Sequence, residues 1–92
     1  MATIIIATPL RKFAANQAKF ETEASTIRDS IQNLAESHPD IKRHLIDDAG
    51  DIRKFLKIYV GDEDIQSLNG EETAIESQTV VSIIPAIAGG IQ

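Results

Sequence analysis

Ninety-two residues, 42% hydrophobic and 25% charged, suffice for one globular domain with a single modest core. No cysteine is present, which excludes disulfides, thiolate catalysis and cysteine metal sites, so any sulfur handled here sits elsewhere than on a side-chain thiol. The net charge of −5, with Lys and Arg scattered and only Lys42-Arg43 and Arg53-Lys54 adjacent, argues against nucleic acid and favours partners with basic docking surfaces.

Met1-Ala2-Thr3 leads directly into Ile4-Ile5-Ile6, with no charged leader and no cleavage site, so a cytoplasmic protein is expected. The apolar runs are too short to span a membrane. A strand is predicted from Thr3 to Thr8, closed by Pro9. After a connection at Phe13 to Asn16, Ala18, Phe20 and Thr22 alternate with Lys19 and Glu21, which predicts a half-buried second strand and an opening hairpin. Ser25-Thr26 offers an N-cap, and Asp29 suits the first helical turn. Ile27, Ile31, Leu34 and Ala35 then form one apolar stripe at helical spacing. This helix is expected to stop near Ser37-His38, before Pro39, which begins a short second helix with Ile41, Leu45 and Ile46 inward.

Asp47 to Asp51 reads as a polar turn. The next strand runs from Phe55 to Val60, with Leu56, Ile58 and Val60 on one face and Phe55, Lys57 and Tyr59 on the other. Gly61-Asp62 turns the chain. Ile65 and Leu68 are apolar anchors in an irregular segment, and Asn69-Gly70 marks a further turn. Thr79 to Ile84 is the last strand. Strands packed on one principal helix give an α+β architecture, with residues 1–84 as the domain and 85–92 as a flexible tail.

Few side chains suggest chemistry of their own. His38 and His44 lack companions at ligand spacing and read as solvated surface residues. Asp62-Glu63-Asp64 lacks the glycine and distal glutamate of a calcium loop and reads as a solvated acidic turn, while Asp47, Asp48 and Asp51 receive no role. Ser25 and Ser82 have no paired base, so no catalytic residue and no metal site are assigned. Phe55, Tyr59, Val80 and Ile84 share the sheet face turned away from the helix, and several large apolar residues there predict a partner-binding patch beside the tail.

The tail is more informative. Gly89 and Gly90 carry no side chain, so a narrow channel can close on bare backbone there, and a terminal glycine carboxylate is an unhindered acyl group. From Pro85 to Gly90 an extended chain reaches roughly 20 Å at about 3.3 Å per residue.

Lys57-Ile58-Tyr59-Val60-Gly61-Asp62-Glu63-Asp64-Ile65, followed by Ser82-Ile83-Ile84-Pro85-Ala86-Ile87-Ala88-Gly89-Gly90, resembles the ubiquitin-like sulfur carriers of the MoaD/ThiS family, and most of all their cysteine-pathway branch. The likeness covers nearly the whole chain. It is strong at 57–65 and over the last ten residues, and weak between 12 and 50. It implies a β-grasp fold, a mixed sheet on one main helix with a short second helix.

It also implies a protein cosubstrate rather than an enzyme, with no bound cofactor. An E1-like activating enzyme would use ATP to adenylate the Gly90 carboxylate, and sulfur would displace AMP to leave a thiocarboxylate. Ala88 and Gly89 would line the partner's channel. The acceptor would be a cysteine synthase, the large subunit of molybdopterin synthase or a thiazole synthase. One departure is that Ile91-Gln92 follow Gly90, so the acyl group is an internal amide. Some carriers of this family are made with a short extension that a JAMM-type zinc metalloprotease removes, and the same is expected here. A ubiquitin-like modifier joined to lysines through Gly90, and a docking subunit with an uncleaved tail, are the alternatives.

Overall fold

A computed structural model describes residues 1–54 and 56–85. Strand β1, Ala2–Ile6, is followed by a one-turn helix α1, Thr8–Arg11, and by strand β2, Lys19–Thr22. Pro9 therefore does more than close β1. Its fixed φ and missing N–H suit the first turn of a helix, and it opens α1 in place of the strand end expected at Thr8. Ala15 and Asn16, both at positive φ, then turn the chain back into β2.

Helix α2 spans Ile27–Ser37. Its N-cap is Thr26, whose hydroxyl accepts from the Asp29 amide at 3.2 Å. Ile27, Ile31, Leu34 and Ala35 are buried, as their spacing predicts. Helix α3, Pro39–Leu45, starts at the proline and buries Ile41 and Leu45, while Ile46 is half-buried. The 47–51 turn folds on itself, the Asp47 carboxylate accepting from the amides of Ala49 and Asp51 at 3.0 Å each.

Strand β3, Leu56–Val60, leads through a Gly61 turn at positive φ to a two-residue strand β4, Glu63–Asp64. One-turn 3₁₀ helices at Ile65–Ser67 and Gly70–Glu72 come next, then strand β5, Val80–Pro85. The segment expected to be irregular is thus partly regular. Ile65 is buried as an anchor, but Leu68 is exposed.

The sheet order is β2-β1-β5-β3-β4. β1 pairs antiparallel with β2 and parallel with β5, and β5 pairs antiparallel with β3. A mixed sheet with a parallel pair at its centre requires a crossover, and α2 and α3 lie in the connection that supplies it. Ile4, Ile6, Ile58, Val81 and Ile83 from the sheet meet Ile27, Ile31, Leu34, Ile41 and Leu45 from the helices in one core. The connection between Gly70 and Thr79 is pinned to α2. Ile27 N–H donates to the Thr73 carbonyl, Ile75 N–H donates to the Ser25 carbonyl, and Arg28 reaches Glu71 at 2.9 Å and Glu72 at 3.2 Å.

Candidate functional site: the central strand and its exit

β5 lies between β1 and β3, so the chain leaves the sheet from its middle. Pro85 is the last residue of β5 and stands opposite Leu56. It offers no N–H, so it adds no donor to the ladder. Gly90, Gly89, Ala88 and the Ile91-Gln92 extension lie outside the described residues, as does Phe55.

The other three patch residues come together. Tyr59 stands opposite Ser82, so Val80 and Ile84 are its two diagonal neighbours on β5. All three are on the sheet face away from the core. Val80 and Ile84 are 44% and 46% exposed, Tyr59 is half-buried, and Lys57 stands opposite Ile84. Ile5 on β1, half-buried and in register with Ser82, continues the same surface toward β2.

Two sequence readings change. His44 is half-buried rather than solvated. Its ring stacks on Phe13 with centroids 4.0 Å apart, and its Nε2 is buried without a hydrogen-bond partner among the described residues. Burial pushes its pKa below the ordinary 6.5, and the charges of Arg43, Arg53 and Lys12 push the same way. His38 is also half-buried, edge-on to Phe20 at 5.9 Å. Aromatic contacts between residues this far apart in sequence leave no local signal. The second change concerns Asp64, which is more than part of an acidic turn: its carboxylate accepts from the Gln66 amide at 2.9 Å and caps the following 3₁₀ turn.

The basic residues that look scattered along the sequence converge at the tail end of the sheet. Leu56 N–H donates to the Arg53 carbonyl, and Arg53 Nε donates to the Arg43 carbonyl at 2.6 Å. His44, next in the chain, stacks on Phe13, and Lys12 Nζ lies 5.2 Å from that ring's centroid. This connected series was missed because its members come from three distant segments. Among the described residues no three His, Asp or Glu side chains gather as a metal site, and no helix is long and apolar enough to cross a membrane.

A mixed five-stranded sheet folded over one main helix, with the C-terminal strand at its centre, defines a ubiquitin-like β-grasp domain. The ThiS family profile matches residues 4–90. Sulfur carrier protein CysO of Mycobacterium tuberculosis is 34% identical over 90 residues, 96% of this chain and 97% of that protein. The solved BexX/CysO complex of Amycolatopsis orientalis superposes with a TM-score of 0.87 at 29% identity, covering 98% of this chain and 100% of the matched one. The small archaeal modifier protein 1 of Methanosarcina acetivorans shares the fold, with a TM-score of 0.86 at 19% identity over 97% of this chain and 95% of its own. The chain belongs to the ThiS family. Within it, it is a CysO-like sulfur carrier, a protein cosubstrate rather than an enzyme.

Proposed function

We propose that this carrier holds sulfur as a thiocarboxylate on Gly90, after hydrolysis of the Gly90–Ile91 bond. The observation that carries the reading is the Ile84-Pro85-Ala86-Ile87-Ala88-Gly89-Gly90 run, which follows directly from the central strand and closes the family match at residue 90. A carboxylate is a poor electrophile. Attack of its oxygen on the α-phosphorus of ATP expels pyrophosphate and gives a mixed anhydride. Sulfide then adds at the acyl carbon and AMP leaves, so the carbon exchanges one oxygen for sulfur with no redox step. The product is a nucleophile that needs no cysteine, in keeping with a chain that has none.

In this reading an E1-like enzyme supplies the ATP site, and a JAMM-type zinc protease exposes Gly90. Channels on both the activating and the accepting enzyme close over Ala88 and Gly89. Tyr59, Val80 and Ile84, with Phe55 four residues before Tyr59, form the docking surface. The likeness to CysO favours a cysteine synthase as acceptor over molybdopterin synthase or thiazole synthase. The cycle belongs in the cytoplasm, where ATP is available.

The test uses a chain ending at Gly90, incubated with ATP, the activating enzyme of its own host and sulfide. Intact mass should rise by the difference between sulfur and oxygen. Gly90→Ala should react poorly, because a methyl group intrudes where the channel closes on backbone. The chain ending at Gln92 should not react until the protease is added. Thiolation of the Gln92 form as readily as the Gly90 form would overturn the assignment of Gly90. Adenylation followed by joining to lysines would make the chain a modifier instead.

A further inference from the structure

The chain is acidic overall, yet its charge is divided along the strand axis. β1 and β5 run in parallel toward one end, and β3 starts there, with Leu56 opposite Pro85. Seven of the nine Lys and Arg residues belong to that end: Arg11, Lys12, Lys19, Arg43, Arg53, Lys54 and Lys57. Arg11 follows β1 and donates to the Ile6 carbonyl at 3.0 Å, while Arg53 and Lys54 precede β3 and Lys57 faces Ile84. Arg43 and Lys12 join through the Arg53 and Phe13 contacts already described. Glu23, Asp62 and Glu76 lie on connections at the opposite end, and Glu63 opens β4 there, opposite Val60. Five strand residues, about 16 Å at about 3.3 Å each, separate the two ends, more than the ~8 Å Debye length at physiological salt. A partner touching one end is therefore largely screened from the other.

Two of the basic residues keep their charge available. Lys12 and Arg43 are exposed and form no ion pair with any described residue. Asp40 lies one helical turn before Arg43 on α3, and Asp47, Asp48 and Asp51 belong to the turn closed by the Ile46–Ile52 bridge, where the Asp47 carboxylate is occupied by the turn's own amides. Burial lowers the pKa of His44, and the charges of Arg43, Arg53 and Lys12 lower it further, so these three cations lie around one side chain.

From this polarity we infer that the base of the tail is a cationic collar that docks against acidic residues surrounding the channel mouth of the enzyme that takes the tail. The inference rests on the tail being inserted, as proposed above, and adds the polarity of the partner. Five residues from Ala86 to Gly90 reach only about 17 Å at about 3.3 Å each, so an enzyme engaging Gly90 comes within reach of the residues around Pro85. This sharpens the expectation drawn from net charge alone. Long-range steering of an acidic chain favours a positive partner, but the surface that meets the channel has the opposite sign.

The experiment measures binding of the chain ending at Gly90 to the E1-like activating enzyme of its own host, at a series of salt concentrations and without ATP. The double variant Lys12→Glu/Arg43→Glu should raise Kd by at least ~10-fold and flatten its salt dependence. The far-end variant Asp62→Lys/Glu63→Lys should leave Kd within about threefold. Melting curves check folding. If the double reversal unfolds, the neutral pair Lys12→Gln/Arg43→Gln should still raise Kd by about fivefold. Unchanged or tighter binding by the folded collar variants overturns the inference. So does a collar that loses short single-stranded DNA but not the enzyme, which would make it a nucleic-acid surface. Wild-type protein that does not bind the enzyme overturns the collar and the sulfur cycle together. Binding that follows the collar, without thiolation of the Gly90 form, overturns the sulfur cycle alone and supports the collar.

Discussion

On its inner face β5 presents Val81 and Ile83, 0% and 1% exposed, whereas on its outer face it presents Val80 and Ile84, 44% and 46% exposed. The four side chains are chemically alike and belong to one strand. The inner pair is accounted for by folding, since each residue removed from water there contributes about 1.5–3 kcal/mol. The outer pair receives no such return, and with Tyr59 beside it the domain keeps an apolar surface with no folding reason for it. The same alternation that builds the core leaves a surface suited to contact with another protein.

Substitutions on the two faces should separate these roles. The largest effect is expected from Ile83→Ala. Ile83 is in register with Ile6 on one side and Ile58 on the other, and the cavity left behind should cost about 2–4 kcal/mol, read as a lower midpoint in denaturant unfolding. A cost below about 1 kcal/mol would mean that the inner face is loosely packed. Ile84→Glu should behave in the opposite way, with stability changed by no more than about 0.5 kcal/mol while binding to the activating enzyme weakens by about 1–2 kcal/mol. Unchanged affinity with an unchanged melting temperature would remove Ile84 from the contact. Loss of folding would mean that the outer face is covered within the domain.

The smallest effect concerns the helical side of the core. The folded pKa of His44 lies below its unfolded value, so its neutral form is the one favoured by folding. That contribution is complete above pH 6.5 and is lost as pH falls through the folded pKa. Melting temperatures measured above and below 6.5 should therefore converge in His44→Phe relative to the parent chain. Equal pH dependence in both would show that His44 carries none of the loss.

Most elements are legible because their signals are local. The Thr26 cap, the Ile27-Ile31-Leu34-Ala35 stripe and the alternation of β2 and β3 each fall within a few residues, and each element formed where its pattern indicates. α1 has no local signal of its own, because Pro9 is equally suited to ending a strand and to opening a helix, and the choice depends on Leu10 reaching the core. β4 was not read because Glu63-Asp64 has no apolar alternation. It exists only because Tyr59 and Val60 offer an edge to pair with. Tyr59, Val80 and Ile84 could be placed on one face from strand parity alone. The collar could not, since Lys12, Arg43 and Arg53 meet only through the packing of Phe13 on His44 and the bond from Arg53 to the Arg43 carbonyl.

The central position of β5 also has a mechanical consequence. A tail drawn into or out of a channel transmits tension to Pro85, and that load runs along the strand axis. β5 is held on both sides, over four registered residue pairs with β1 and five with β3. Force along the axis loads these ladders in shear, so their bonds share the load and do not peel apart one at a time. An edge strand, held on one side only, would resist less. Load applied at Pro85 is therefore shared by two ladders at once.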